Sequence, residues 1–190
     1  MKKVFPLIIV ILLLSAGVIF FQMQKKETKE DIELAPALIP IHGTVRPPSG
    51  VSPDSLEIVS LLRTSKPDKE GKFSIPSYKD GVNTVAAMAP EKEFGLMKIL
   101  IMNNGASSEE TVLDSQSTAQ ALIFITPVLI ANDPKRAQEI MEIIKKNQKV
   151  QEFAGVIDKV FEKDDPMSIP EYEEAFQAAL SSVLLEFNPQ

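Results

Sequence analysis

The chain has 190 residues, with 20 Lys and Arg against 26 Asp and Glu, one histidine and no cysteine. A net charge of −6 leaves no basic surface to neutralise phosphates, which argues against nucleic acid as a partner. Without cysteine there are no disulfides, no thiolate metal sites and no lipid-modified N-terminal cysteine.

In chain order, Met1-Lys2-Lys3 precedes an apolar run from Val4 to Phe21. As a helix that run spans about 27 Å, close to the hydrocarbon core of a bilayer. Ser15, Ala16 and Gly17 supply small residues for a signal cleavage site, which would release a secreted chain starting at Val18. Val18 to Phe21 extend the run past that site, however. The expectation is therefore a retained signal anchor over 1–22, with residues 4–21 in the membrane. The same small residues would also let a membrane partner helix approach closely. Lys25, Lys26 and Lys29 nearly balance Lys2, Lys3 and the α-amine. A very short basic tail normally stays in the cytoplasm, which places the rest of the chain outside. Setting aside Lys2 and Lys3, 18 basic residues face 26 acidic ones, a net of −8. That balance argues against a polybasic membrane-surface role and fits an ordinary solvated surface.

Residues 23–38 are charged first and then proline-containing, the composition of a tether. Eight of the 14 prolines and five of the 8 glycines lie between Pro36 and Gly95, which disfavours long helices there. The patterning predicts strands in "IPIHGTV", "SLEIVSLL", "KFSIP", "VNTVAAMA" and "GLMKILIM", with Leu56, Ile58 and Ser60 on one face of the second. Short strands between closely spaced turns indicate a small antiparallel β-sandwich over 39–102. "NNGASSEE", residues 103–110, has loop chemistry throughout and is expected as a linker.

Helical spacing takes over in 111–190, giving a bundle of about four helices and an α+β chain overall. Asp114 or Ser115 is an N-cap for "DSQSTAQALIFI", and Asp133-Pro134 opens a second helix. Val150, Phe153, Ala154, Ile157, Val160 and Phe161 form the stripe of a third. Ser168 to Glu171 fits a capping box opening a fourth, whose stripe runs from Tyr172 to Phe187. "ALIFITPVLI" is too short and too broken by Pro127 to be a second span, and is expected as the buried centre of the bundle.

"DKEGKFSIPSYKDGVN", residues 68–83, invites a calcium reading. With Gly71 at position 6 of an EF-hand loop, Lys66 falls at position 1 and Ser77 at position 12. A cation and a hydroxyl then stand where carboxylates are needed, so a hairpin with Phe73 and Ile75 inward is expected instead. "GTVRPP" (43–48), "DKEGKFSIP" (68–76) and "KDGVNTVAAMAP" (79–90) together resemble the carboxypeptidase regulatory-like, prealbumin-type β-sandwich of bacterial surface proteins. The resemblance covers about residues 39–100. It implies an extracytoplasmic structural or adhesive module with no catalytic residues to carry over.

Chemistry-bearing residues are few. His42, the single histidine, falls on the polar face of a strand, and no serine carries an elbow motif. There is no clustered zinc-ligand set and no glycine-rich phosphate loop. Glu162, Asp164 and Asp165 follow the third helix, while Glu171, Glu173 and Glu174 suit the positive end of the fourth. A paired-carboxylate hydrolase normally adds aromatic sugar platforms, and this chain has no tryptophan and two tyrosines. The expected function is a non-enzymatic, membrane-anchored extracytoplasmic module with a protein partner and no cofactor. An accessory subunit of a membrane complex is the second reading, and a carboxylate hydrolase the third.

Overall fold

Every non-terminal strand must find a partner for its backbone groups, and here the partners lie in two small sheets. The computed structural model describes residues 38–187, except 91, 108 and 109. The anchor expected at 1–22 and nearly all of the tether lie outside them. Eight strands come first: β1 Leu38–Val45, β2 Glu57–Ser60, β3 Thr64–Ser65, β4 Lys72–Tyr78, β5 Gly81–Met88, β6 Leu96–Asn103, β7 Ala106–Ser107 and β8 Thr111–Leu113. Four helices follow: α1 Ser115–Phe124, α2 Pro134–Lys146, α3 Gln148–Lys163 and α4 Glu171–Phe187. The fold class is α+β, as the patterning predicts. No described helix is long and apolar enough to cross a membrane.

One sheet has the order β4-β1-β8 and the other β3-β2-β5-β6-β7. Two expectations change here. Neither turn in 68–83 closes a hairpin, because β4 pairs with β1 whereas β5 pairs with β2 and β6. Asp80-Gly81 instead passes the chain from one sheet to the other. Nor is the sandwich wholly antiparallel, since β8 lies parallel to β1, with Gly43 opposite Thr111. The segment expected as a linker holds β7, and the chain returns to the first sheet immediately after it. The described residues form one compact unit.

Strand β6 explains why. Its sequence, "LMKILIMN", is a nearly unbroken apolar run, the mark of a strand covered on both faces. Ile99 and Ile101 join the helical core, whereas Leu96, Leu100 and Met102 join the core between the sheets. Phe161 of α3 reaches into the sheet core, and Phe94 packs against both. The helices are therefore a layer on the sheet rather than a free-standing bundle. Burying Phe124, Phe153 and Phe161 contributes roughly 1.5–3 kcal/mol each.

Helix ends follow local chemistry. Asp114 caps α1 by accepting from the Ser117 N–H, and Ser117 returns a bond to the Asp114 N–H. Asp133 caps α2 ahead of Pro134. Asn147 alone separates α2 from α3, its Oδ1 accepting from Lys149 and Val150 while its amide donates to Ser182 of α4. The expected Ser168 capping box does not form. The Ser168 hydroxyl donates to the Asp165 carbonyl in a short 3-10 turn, and α4 begins at Glu171. "ALIFITPVLI" is only partly buried: Ala121, Ile123, Phe124 and Leu129 are covered, but Ile125, Val128 and Ile130 are exposed. Pro127 cannot continue a helix, so α1 stops and the chain turns outward.

Candidate functional site

The turn at Asp68 has a geometry of its own. The Gly71 N–H donates to the Asp68 carbonyl (2.9 Å), the Asp68 N–H to the Lys72 carbonyl (2.9 Å), and the Lys72 N–H to Asp68 Oδ1 (2.8 Å). Gly71 sits at φ +80°, and a Cβ there would collide with the Val45 carbonyl oxygen. Asp68 is thus a turn organiser. Lys66 is exposed and Ser77 is buried on β4 with its hydroxyl unpaired. Among the described residues no three His, Asp or Glu side chains are grouped to hold a metal ion.

His42 is exposed on β1, opposite Ser74. The carboxylates past α3 serve separate backbone groups. Asp164, left-handed at φ 58°, accepts from the Glu93 N–H (3.0 Å) and the Phe94 N–H (2.9 Å). It thereby clips the end of α3 to the segment that enters β6. Asp165 accepts from the Met167 N–H (2.9 Å). Glu171 accepts from Lys159, a bond that holds its carboxyl below the ordinary range. Glu162, Glu173 and Glu174 are exposed. These groups do not converge on one point.

A shallow groove of about 510 Å³ runs between β3 and β4, with Ile39, Arg63, Ser65, Ser74 and Pro76 among its walls. It lies between two sheet edges, so added strand pairing is the first thing to examine there. Pro40 stands opposite Pro76, and neither has an N–H, so this pair cannot be a hydrogen-bonded one. By the alternation of the ladder, Lys72, Ser74 and Pro76 direct their backbone groups to the free edge. Asp68 already occupies both groups of Lys72, and Pro76 has no donor. The β4 edge is closed to a further strand at two of those positions.

The edge of β6 is closed differently. The Met97 N–H donates to Thr118 Oγ1 (2.9 Å) and its carbonyl accepts from Ser117 Oγ (2.9 Å). Two hydroxyls of a helix thus stand in for a neighbouring strand. Lys98 is lowered from its ordinary pKa by burial, against the opposing pull of Asp114 and Glu110; burial lowers Lys145 too, with Lys98 adding repulsion. Of the two N-cap candidates, Asp114 and Ser115, the cap is Asp114, whereas Ser117, Thr118 and Asp164 were not expected as fastenings. Only the D-x-x-S spacing of the cap carried any signal of them.

The chain matches no protein-family model, no curated protein and no solved structure.

Proposed function

We propose that the chain is a non-enzymatic, membrane-anchored extracytoplasmic module of structural or protein-interaction type. In this reading residues 4–21 form a retained anchor, residues 23–38 a tether, and the α+β unit a rigid head. The observation that carries it is the use of the polar side chains. Asp68, Asp114, Asp164, Ser117 and Thr118 each hold backbone groups of the fold, which leaves them no geometry for general acid–base work on a substrate. The resemblance of residues 39–100 to the prealbumin-type sandwich of surface proteins points the same way.

The reading requires a protein that is integral to the membrane and inert towards ester, peptide and glycosidic substrates. Alkaline extraction of membranes from expressing cells should leave it in the pellet. Release into the supernatant as a chain starting near Val18 would overturn the anchor and leave a secreted module. Turnover of a glycoside that is lost in Glu171→Gln would overturn the non-enzymatic reading. An accessory subunit remains the second reading, supported by Ser15, Ala16 and Gly17 within the apolar run.

A further inference from the structure

Large apolar side chains exposed on the described surface are unevenly placed. They are Leu38, Leu61, Ile125, Val128, Ile130, Met167 and Leu185. One end of the unit is defined by Met97, where α1 begins, and by Asp164, where α3 ends against Phe94. Ser115 bonds to Asp158, so α1 and α3 run in opposite directions; Lys159 bonds to Glu171 and Asn147 to Ser182, so α3 and α4 do too. Met167, between α3 and α4, therefore stands at the Met97 end.

The others stand away from it. α1 carries the chain about 15 Å from Met97 before releasing Ile125, Val128 and Ile130. Leu185 lies in the last turn of α4, between Ser182 and Glu186, which both accept from the Asn147 amide. On the sheets, β6 runs from Leu96 to Asn103, and Ile39 lies against Gly105 just beyond its far end. Leu38 is thus at that far end. Leu61 follows, because β2 runs antiparallel to β5 towards the start of β5, and Arg63 shares a groove with Leu38. Ser115 to Asn132 contains no charged residue, while the turns and helix end around it carry charges of both signs, with Arg63, Lys79, Asp80 and Glu186 all exposed.

We propose that this end of the head, led by Ile125, Val128 and Ile130, rests on the lipid surface of the bilayer that holds the chain. The inference rests on the anchored reading above. The expected tether runs into Leu38, so the head is attached at the same end that carries the apolar side chains. The three loop side chains are exposed by 39, 66 and 56 %, a patch of roughly 300 Å². A stable protein interface needs about 800 Å² from each partner, so this patch is too small to hold a second copy by itself. A lipid surface is different, because the anchor makes the contact intramolecular and raises its effective concentration. The run from Ser115 to Asn132 brings no charge that a lipid contact would have to desolvate.

The absence of native cysteine permits a direct test with the full chain. Val128→Cys, Leu61→Cys and Met167→Cys are each labelled with an environment-sensitive fluorophore and reconstituted into vesicles of phosphatidylcholine with phosphatidylglycerol. The proposal expects a blue shift at residues 128 and 61, loss of their emission to nitroxide-labelled lipid, and neither effect at residue 167. Vesicle-bound protein with equal quenching at all three sites overturns the lipid contact and leaves the anchor standing. So does self-quenching between copies at residue 128, which would identify a second chain as the occupant. Protein that fails to float with the vesicles overturns both readings together.

Discussion

Both backbone polar groups of Met97 are bonded on the outer side of the strand by two consecutive helix residues: its N–H donates to Thr118 Oγ1 and its carbonyl accepts from Ser117 Oγ, both at 2.9 Å. A strand edge covered by a helix has no neighbouring strand to pair such groups, and unpaired buried groups are costly. Thr118→Val keeps the volume and removes the acceptor. It should lower stability by about 1–3 kcal/mol, the penalty for a buried unpaired N–H. Urea unfolding of the folded unit measures this; a variant of wild-type stability would show that water reaches Met97.

Because β6 is shared, the helices should not stand alone. A fragment of residues 114–190 lacks Ile99 and Ile101, which belong to the helical core. Its thermal unfolding, followed by circular dichroism, should be broad and uncooperative. In the intact chain Phe161→Ala should cost about 3–5 kcal/mol, since its ring fills the sheet core. A sharp, cooperative transition in the fragment would mean that the helical segment is a domain in its own right.

Much of this was legible in the sequence, and the failures share a cause. β4 and β5 follow from alternation, and the caps at Asp114 and Asp133 follow from local chemistry. β8 does not, because "TVL" becomes a strand only by pairing with Gly43–Val45, far away in the chain. The hairpin expected at 68–83 failed for the same reason: turn residues show that the chain reverses, not which sheet receives it. "GLMKILIM" did carry the decisive signal, since an alternating strand with one wet face would not be apolar at nearly every position. Of the candidate site, Asp68 and the exposure of His42 were readable. The seams at Asp164 and Thr118 are tertiary, and local spacing cannot show them.

Gly71 and Gly81 both have positive φ, at +80° and +100°, but differ in surroundings. A Cβ at Gly81 meets nothing within 4 Å, whereas one at Gly71 runs into the Val45 carbonyl. Gly81→Ala should therefore cost about 1 kcal/mol and Gly71→Ala about 2 kcal/mol or more, the excess coming from the collision. Equal denaturation midpoints for the two variants would contradict the turn geometry.

Burial pushes the Tyr172 phenol above its ordinary pKa of 10.0. Below that pH the phenol is neutral in both folded and unfolded chains and has no effect on the balance. Above it the unfolded chain ionises first, so stability falls as pH rises. Tyr172→Phe should show a smaller loss than wild type when unfolding midpoints on the two sides of pH 10.0 are compared. Identical losses would place the phenol in solvent.

An anchored extracytoplasmic module must carry its head on the outer side of the membrane. The direct measurement is protease added to intact cells or spheroplasts expressing the chain with an epitope before Lys2. Degradation of residues 36–190 with survival of a membrane-bound epitope is the predicted result. Full protection of residues 36–190, with loss occurring only after lysis, would place the head inside the cell and contradict the anchored extracytoplasmic module.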